Sequence, residues 1–465
     1  MTAKGLSIAV IGSGISGLSS AWLLSKQHQI TLFEKDDRFG GHSNTVMVQD
    51  DDQSIPVDTG FIVFNDKTYP NLTALFDHLD VPVTNTDMSF AVSMNKGRTE
   101  YSGTDLNGLF AQRLNAVKPG FLKMLLDIFR FYQSSAELMK KLDPSVTLRE
   151  LLTGRGYSQR FIDDHLVPMG AAIWSTPSDR MLDYPALAFM RFCKNHGLLQ
   201  LTNRPQWQTV NGGSKEYVRR ILDDMDGLAI KNRCVRKVKR HADRVIITDL
   251  QGDTHEFDHV VMACHADTSL AMLSEPSELE QLLLGSFSFQ RNRAILHSDE
   301  RLMPSRKRAW ASWNYFGTQS NEGPSVTYWM NRLQQLEGLP LFVTLNPSTE
   351  PESIHGCYLY DHPVFDRNAL EAQSRLWELQ GRNRTWFCGA WFGYGFHEDG
   401  LQSGLAVAEA LGGKRRPWSV ENQNDRLIWP EHGIGKRPVT LFANHSTSNI
   451  TNNVTDSSVS NGRRT

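Results

Sequence analysis

Gly12-Ser13-Gly14-Ile15-Ser16-Gly17, directly behind the apolar run Ile8 to Ile11, has the spacing of a glycine turn that cradles phosphates. Gly12 permits a tight turn, Gly14 lets the backbone approach a pyrophosphate, and Gly17 lets the next helix pack closely on the strand. That helix, continuing from Leu18 to Ser25, would turn its free N-terminal N–H groups, those of Ile15 and Ser16 among them, and its positive dipole end toward the phosphates. A second apolar strand, Ile30-Thr31-Leu32-Phe33, ends at Glu34 and Lys35. A carboxylate there accepts a bond from a ribose hydroxyl and repels the extra phosphate of NADP. The chemistry these residues support is dinucleotide binding.

Arg38-Phe39-Gly40-Gly41-His42 follows and resembles the second glycine signature of flavoproteins, which implies FAD. Gly40 and Gly41 would let the backbone pass close to the flavin end, with Arg38 facing the pyrophosphate or its neighbourhood. Val57-Asp58-Thr59-Gly60-Phe61 resembles the short strand and turn that close such a site. On these motifs the chain resembles the superfamily of flavin-containing amine oxidases, phytoene desaturases and protoporphyrinogen oxidases. The far end of the chain carries the resemblance further. Thr385 to Ala390 reads as a final buried strand containing Gly389, and Glu398 to Ala408 as a helix start with Asp399 as its N-cap. In that superfamily the corresponding helix points at the flavin, so the resemblance places Asp399, Gly400 and Leu401 at the cofactor, with the N–H groups of Gly400 and Leu401 stabilising the reduced form. Gly404 would allow that helix to pack closely. Between the ends, Val210 to Ser214 leads into a helix from Lys215 to Leu222, the backbone of Val235 matches the position that touches adenine, and Phe257 to Ala263 returns the chain to the cofactor domain.

A narrower resemblance, to bacterial predicted NAD/FAD-binding oxidoreductases, rests on Gly170 to Ser175, Arg308 to Tyr315 and Trp391 to Gly400, and extends to about Gly412. Members are often encoded beside enzymes resembling cyclopropane fatty acid synthases. That setting implies a role in modifying lipid acyl chains, with a lipid methyltransferase as a candidate partner.

Chemistry of this type moves a hydride from a substrate carbon to flavin N5. Trp391, Tyr394 and His397 are the catalytic candidates, with Phe396 and Glu398 between and beside them. Trp391 and Tyr394 resemble the aromatic pair that guides amines in amine oxidases, and His397 could exchange a proton near neutral pH or hydrogen-bond the flavin. The lysine that many amine oxidases hold near N5 has no clear match, the nearest region being Met303 to Lys307. Trp310, Trp313, Tyr328 and Trp329 would line a tunnel for an apolar substrate if their strands face the seam, and would be core if they face away. No Ser/His/Asp, Cys/His or metal-ligand spacing is present. No covalent attachment motif stands out, so FAD is expected to be non-covalent.

The elements that must position these residues fall into two interleaved units. The fold class expected is α/β (α+β overall): a Rossmann-like FAD-binding domain of the glutathione-reductase/amine-oxidase type, built from 1–66, 208–272 and 383–412, and a substrate domain of mixed sheet and helices from 67–207 and 273–382. Residues 67–207 read as helical and 273–382 as β-like. A C-terminal extension, 413–443, precedes a Ser/Thr/Asn-rich tail, 444–465, expected to be disordered.

A length of 465 residues can bury two cores, and a net charge of -2 gives no electrostatic reason to expect nucleic acid as partner. The odd count of five cysteines, without CxxC, reads as small hydrophobes in a reducing compartment. With no leader-like segment at its start, the chain is expected in the cytoplasm, peripheral at the inner membrane face if the basic amphipathic stretch Gly120 to Leu142 touches lipid. The leading expectation is an FAD-dependent oxidoreductase that desaturates or oxidises a hydrophobic substrate, a lipid acyl chain. The runner-up is an amine oxidase using oxygen. A third reading is a non-catalytic flavin- or lipid-binding accessory of a lipid-modifying methyltransferase.

Overall fold

Ile8, Ala9 and Val10 are fully buried because the strand Ser7–Ile11 lies in the middle of a parallel sheet covered on both faces. A computed structural model of the protein describes residues 5–143, 145–174, 181–195, 198–199, 205–317 and 325–428. In sheet order its parallel strands are Gly227–Ile230, Gln29–Phe33, Ser7–Ile11, His259–Met262 and Thr385–Phe387, so distant parts of the chain meet in one layer. Every carboxyl end therefore opens toward one crevice, the position where parallel α/β sheets bind ligands.

The helix Ile15–Ser25 packs between this sheet and the last helix, His397–Ala410. Close approach sets the contact. A Cβ on Gly17 would stand 1.8 Å from the Gly12 carbonyl oxygen, and one on Gly404 would stand 2.3 Å from the Ser16 carbonyl oxygen. Only glycine fits at either point.

A second, seven-stranded mixed sheet is ordered Ile354–Val364, Ser288–His297, Phe342–Leu345, Ser325–Trp329, Trp313–Gly317, Phe90–Met94 and Thr99–Ser102. The last two strands come from 67–207, which the sequence presents as helical. Short β-rich runs among long amphipathic helices are masked by the helices' stronger periodicity. The long helix Pro119–Lys141 buries Phe121, Met124 and Phe131. Within the β-like stretch 273–382, residues 309–313 do not form one strand: a short turn at Lys307–Ala309 precedes a strand that starts only at Trp313.

Residues 413–428 dock rather than trail away. Arg416 donates to Glu409 (2.8 Å) and Asn71 (2.9 Å), and Trp418 stacks on Trp22 at 6.0 Å. Ser175 and the tail 444–465 lie outside the described residues. Among the described residues, no helix is long and apolar enough to cross a membrane.

Candidate functional site

The two glycine turns meet at the crevice. Gly12 takes φ +100° beneath the Ala263 carbonyl, and Gly41, at φ +58°, comes so near that a Cβ on it would be 3.0 Å from Gly14 Cα. Around Gly14 itself there is open space: a Cβ there would meet nothing within 4 Å. Gly14 is the N-cap of Ile15–Ser25, contributes no capping side chain, and its carbonyl takes the first intrahelical bond from Leu18 N (2.9 Å). The N–H groups of Ile15, Ser16 and Gly17 precede that bond and are the helix-terminal donors for phosphate. Glu34 is buried and accepts from Ser13 N (2.9 Å), Ser13 Oγ (2.5 Å) and Asp36 N (3.0 Å). A carboxylate offers about four lone-pair sites, so one remains for a ribose hydroxyl. These features fit the FAD that the sequence implies.

Other cofactor candidates group around this turn. Arg38 braces it by donating to the Ser43 carbonyl (3.3 Å), whereas Lys35 is exposed beside Asp36. Gly40 takes φ +117°. Gly60 passes against His42, whose carbonyl accepts from Phe61 N (2.8 Å), and a Cβ on Gly60 would lie 2.1 Å from that oxygen. Arg233 N donates to the Glu34 carbonyl (2.8 Å), which sets the start of the Val235–Arg240 strand beside the Glu34 end of the crevice. Gly389 leaves the last parallel strand, its N–H held by Ser403 Oγ at 3.0 Å.

The last helix starts earlier than its sequence suggests. It begins at His397, and Gly400 N already donates to the Phe396 carbonyl (3.1 Å). Gly400 and Leu401 are therefore not its free donors. Gly400 instead packs on Ile15, where a Cβ would approach to 2.8 Å, and Leu401 is fully buried. Asp399 is not the N-cap: from the third helical position its carboxylate reaches back to Phe396 N (2.7 Å) and pairs with Arg426 Nη1 (3.3 Å). Glu398 accepts from Asn71 N (3.1 Å) and Leu72 N (3.0 Å), capping the helix Pro70–His78. Burial raises the pKa of both carboxyls, opposed by the charge of Arg426.

Of the three catalytic candidates, Trp391 belongs elsewhere. Its Nε1 donates to the Cys264 carbonyl (3.0 Å) and its ring packs on Phe287 at 4.9 Å in the core behind the parallel sheet. An expected aromatic pair with Tyr394 therefore does not form, because Tyr394 packs beside Phe192 (6.0 Å) in the other core. His397 stands at the helix start, stacked on Phe61 at 3.8 Å, with Nε2 at 3.0 Å from Ser43 Oγ and 2.9 Å from Tyr217 OH. Burial lowers its pKa to about 3. The ring is neutral at pH 7, which revises the expectation of a proton donor near neutrality: it anchors two hydroxyls instead.

Sequence reasoning missed His265, Tyr360 and His362. The His42 ring lies 4.9 Å from Tyr360 and 5.7 Å from His362, and Tyr360 OH reaches Thr59 Oγ1 (2.7 Å) and Asn44 Nδ2 (3.1 Å). Burial, then neighbouring His362, His265 and His397, hold His42 well below the usual histidine range. His265 was findable, since it lies three residues beyond a parallel strand's carboxyl end, as the N-cap of the next helix. Tyr360 and His362 depend on which way a strand faces.

That facing divides the aromatic quartet. Trp313 pairs with Tyr328, Tyr328 with Val343, Val343 with Leu296 and Leu296 with Gly356, which alternates onto the same face as Tyr360. Trp313 and Tyr328 thus share the face that meets the crevice. Trp329 and Trp310 (5.3 Å apart) lie on the opposite face, where they line a cavity of about 420 Å³ with Lys307, Asn331 and Pro340. Lys307, the nearest match to the amine-oxidase lysine, is there too, 3.3 Å from Glu300. Among the cysteines, Cys357 is exposed rather than buried.

The buried histidines predict a pH dependence. Between the unfolded pKa near 6.5 and the native value near 3, the unfolded chain holds a proton at His397 that the native protein does not. Its stabilising contribution is full above about pH 6.5 and falls as pH drops. His165, His297 and His362, each lowered by burial to about 4, act in the same sense, while Asp58, raised by burial from 3.8 to about 6, acts oppositely over that interval. His397→Asn should therefore reduce the loss of unfolding free energy between about pH 7 and about pH 5, by up to about 1.4 kcal/mol per pH unit in urea unfolding. An unchanged slope would mean that the native ring already carries a proton.

Comparison with known proteins places these features in context. The profile of the family described as flavin containing amine oxidoreductase matches residues 15–299. A Mycobacterium tuberculosis protein provisionally named flavin-containing monoamine oxidase AofH is 26% identical over 283 residues, 58% of this chain and 59% of its own length. An L-amino-acid oxidase of Siganus canaliculatus is 25% identical over 297 residues, 58% of this chain and 52% of its own length. The match thus spans between half and three fifths of these curated relatives. Among solved structures, putrescine oxidase bound to putrescine has a TM-score of 0.63 at 14% identity, covering 87% of this chain and 98% of its own. A CLA-producing fatty acid isomerase from P. acnes has a TM-score of 0.60 at 15% identity, covering 87% and 98%. At these identities the structures establish the shared fold.

Proposed function

The chain belongs to the flavin containing amine oxidoreductase family, and from that premise we propose that it is an FAD-dependent oxidoreductase that dehydrogenates a hydrophobic substrate, a lipid acyl chain. The observation that carries the reading is the sheet face of Trp313 and Tyr328 that meets the crevice. Phe90, Trp313 and Tyr328 share this face by register, with Val92, Tyr315 and Val326 buried in the core beside them, and none carries a charge that would select an ammonium group. Trp313 Nε1 is buried without a hydrogen-bond partner among the described residues. A buried donor left unpaired costs about 1–3 kcal/mol, which an ester or carboxylate oxygen at the head of an acyl chain would offset. The fold shared with a fatty acid isomerase agrees with such a substrate.

When bound, FAD supplies the acceptor for a hydride at N5. The protein's own residues do the rest. Ile15, Ser16 and Gly17 N–H groups would hold the pyrophosphate, Glu34 would hold a ribose hydroxyl, and His42, Phe61 and Tyr360 would enclose the crevice above the second glycine turn. Neutral His397 fixes Ser43 and Tyr217 without adding charge to a site that must exclude water. An apolar wall keeps an uncharged chain in place and positions its C–H bond.

The runner-up, an amine oxidase using oxygen, is favoured by the names of the sequence relatives. Against it, Lys307 lies across the sheet from the crevice. Incubating the holoprotein with phospholipid extract should yield acyl chains lighter by two hydrogens in mass spectra. Hydrogen peroxide released with an amine panel, and no change in lipid mass, would replace this reading with the runner-up.

A further inference from the structure

Half of the exposed large apolar side chains among the described residues fall in one short stretch of chain: Leu106, Leu114, Val117, Leu122, Leu126 and Phe129. Leu106, Leu114, Val117 and Leu126 are 74%, 70%, 73% and 69% exposed, far beyond the edge exposure of a core residue. The stretch is ordered: a short helix at Leu106–Leu109, a turn at Arg113–Val117, and the helix Pro119–Lys141 that the turn enters directly. On that helix Leu122, Leu126 and Phe129 recur at spacings of four and three, on the side opposite Phe121, Met124 and Phe131, which are buried. The helix is therefore apolar on two faces at its N-terminal half, and only one face has a core to cover.

Charge says what the other face meets. From Leu106 to Leu126 the sequence has no Asp or Glu but carries Arg113, Lys118 and Lys123, all exposed. The flanking acids are engaged: Asp105 caps the short helix at Gly108 N (2.6 Å), and Asp127 is buried, accepting from Ser158 N (2.9 Å) and pairing with Arg130 (3.1 Å). A second copy of the chain would oppose like charges across such a face, and a neutral apolar partner would leave the three cations unmatched.

We propose that Leu106 to Phe129 is a membrane-docking face that lies on an anionic phospholipid surface, its leucines below the headgroups and its three cations at the phosphates. Lysine and arginine stems reach from an apolar bed to the charged plane without desolvating their heads. The helix lies on the bilayer and does not span it. Docking of this kind does not depend on the substrate, since a protein acting on a soluble molecule would still carry it.

The test is sedimentation of the full-length holoprotein with vesicles of phosphatidylcholine, alone or with about 30% phosphatidylglycerol. Wild type should pellet with the anionic vesicles and release at high salt. Leu114→Asp/Val117→Asp/Leu126→Asp and, separately, Lys118→Glu/Lys123→Glu should each weaken binding about tenfold or more while flavin absorbance and Tm stay at wild-type values. Flavin reduction by a detergent-solubilised substrate should be unaffected in both, which separates this surface from the active crevice. Failure of wild type to bind, equal binding to neutral vesicles, or variants that bind as wild type would overturn the docking face. So would a wild-type dimer that the triple aspartate variant dissociates.

Discussion

Gly14→Val should give a folded protein that purifies without flavin. The expectation comes from a contrast among glycines that the motif treats alike. A Cβ at Gly17 would collide with the Gly12 carbonyl at 1.8 Å, so substitution there disrupts the fold itself. At Gly14 a Cβ meets nothing within 4 Å, and the backbone at φ -64°, ψ 175° is one that valine adopts readily. The folded apoprotein tolerates the side chain, while the pyrophosphate loses the room it needs above the helix N-terminus. Flavin content should drop about tenfold or more, with the circular dichroism spectrum preserved. A yellow variant at full stoichiometry would move the dinucleotide turn away from Gly14.

Arg426→Met should be the most destabilising single change in the C-terminal segment. The guanidinium is 4% exposed, pairs with fully buried Asp399, donates to the Thr68 carbonyl and lies 5.8 Å over the Tyr69 ring. Its removal leaves Asp399 and Glu398 buried with no counter-charge, a loss of about 3–5 kcal/mol for a broken buried pair. The pH dependence identifies the cause. Burial already raises both carboxyl pKa values, and without Arg426 they rise further. A raised native carboxyl binds a proton that the unfolded chain releases, so the variant should regain stability as pH falls through the raised carboxyl range. Urea unfolding followed by tryptophan fluorescence measures both effects. A variant within about 0.5 kcal/mol of wild type would show that the ion pair is open to solvent.

Legibility in the sequence followed the range of the interactions. Gly12, Gly14, Gly17 and Glu34 were readable because each acts within one strand-turn-helix unit, where spacing along the chain fixes spacing in the fold. Gly404 was readable for a related reason: a glycine inside a helix announces a close neighbour, here the Ser16 carbonyl. The start of the last helix was misplaced because Asp399 caps from inside, reaching back to Phe396 N, whereas a sequence reading puts the acid before the first turn. Trp391 looked like a site residue from its neighbours Tyr394 and His397, but a short turn at Ala390–Phe392 swings it into the core behind the sheet. Trp313 and Trp329 could not be told apart without register, since a shift of one residue exchanges the two faces of every strand. Arg416 and Arg426 gave no periodic signal at all. Each combines a partner nearby in sequence, Glu409 for Arg416 and Asp399 for Arg426, with one hundreds of residues away, Asn71 and the Thr68 carbonyl, and spacing along the chain does not mark the distant partner.

The central claim is that an acyl chain lying on the Trp313–Tyr328 face reduces the flavin held by the glycine turns. It is tested most directly by following flavin absorbance anaerobically as the holoprotein is titrated with phospholipid extract that includes methylated acyl species, and in parallel with a panel of amines. Bleaching by the lipid, slowed by Tyr328→Ala and absent with amines, is the predicted result. Bleaching by amines alone would contradict the account and place the protein among the amine oxidases.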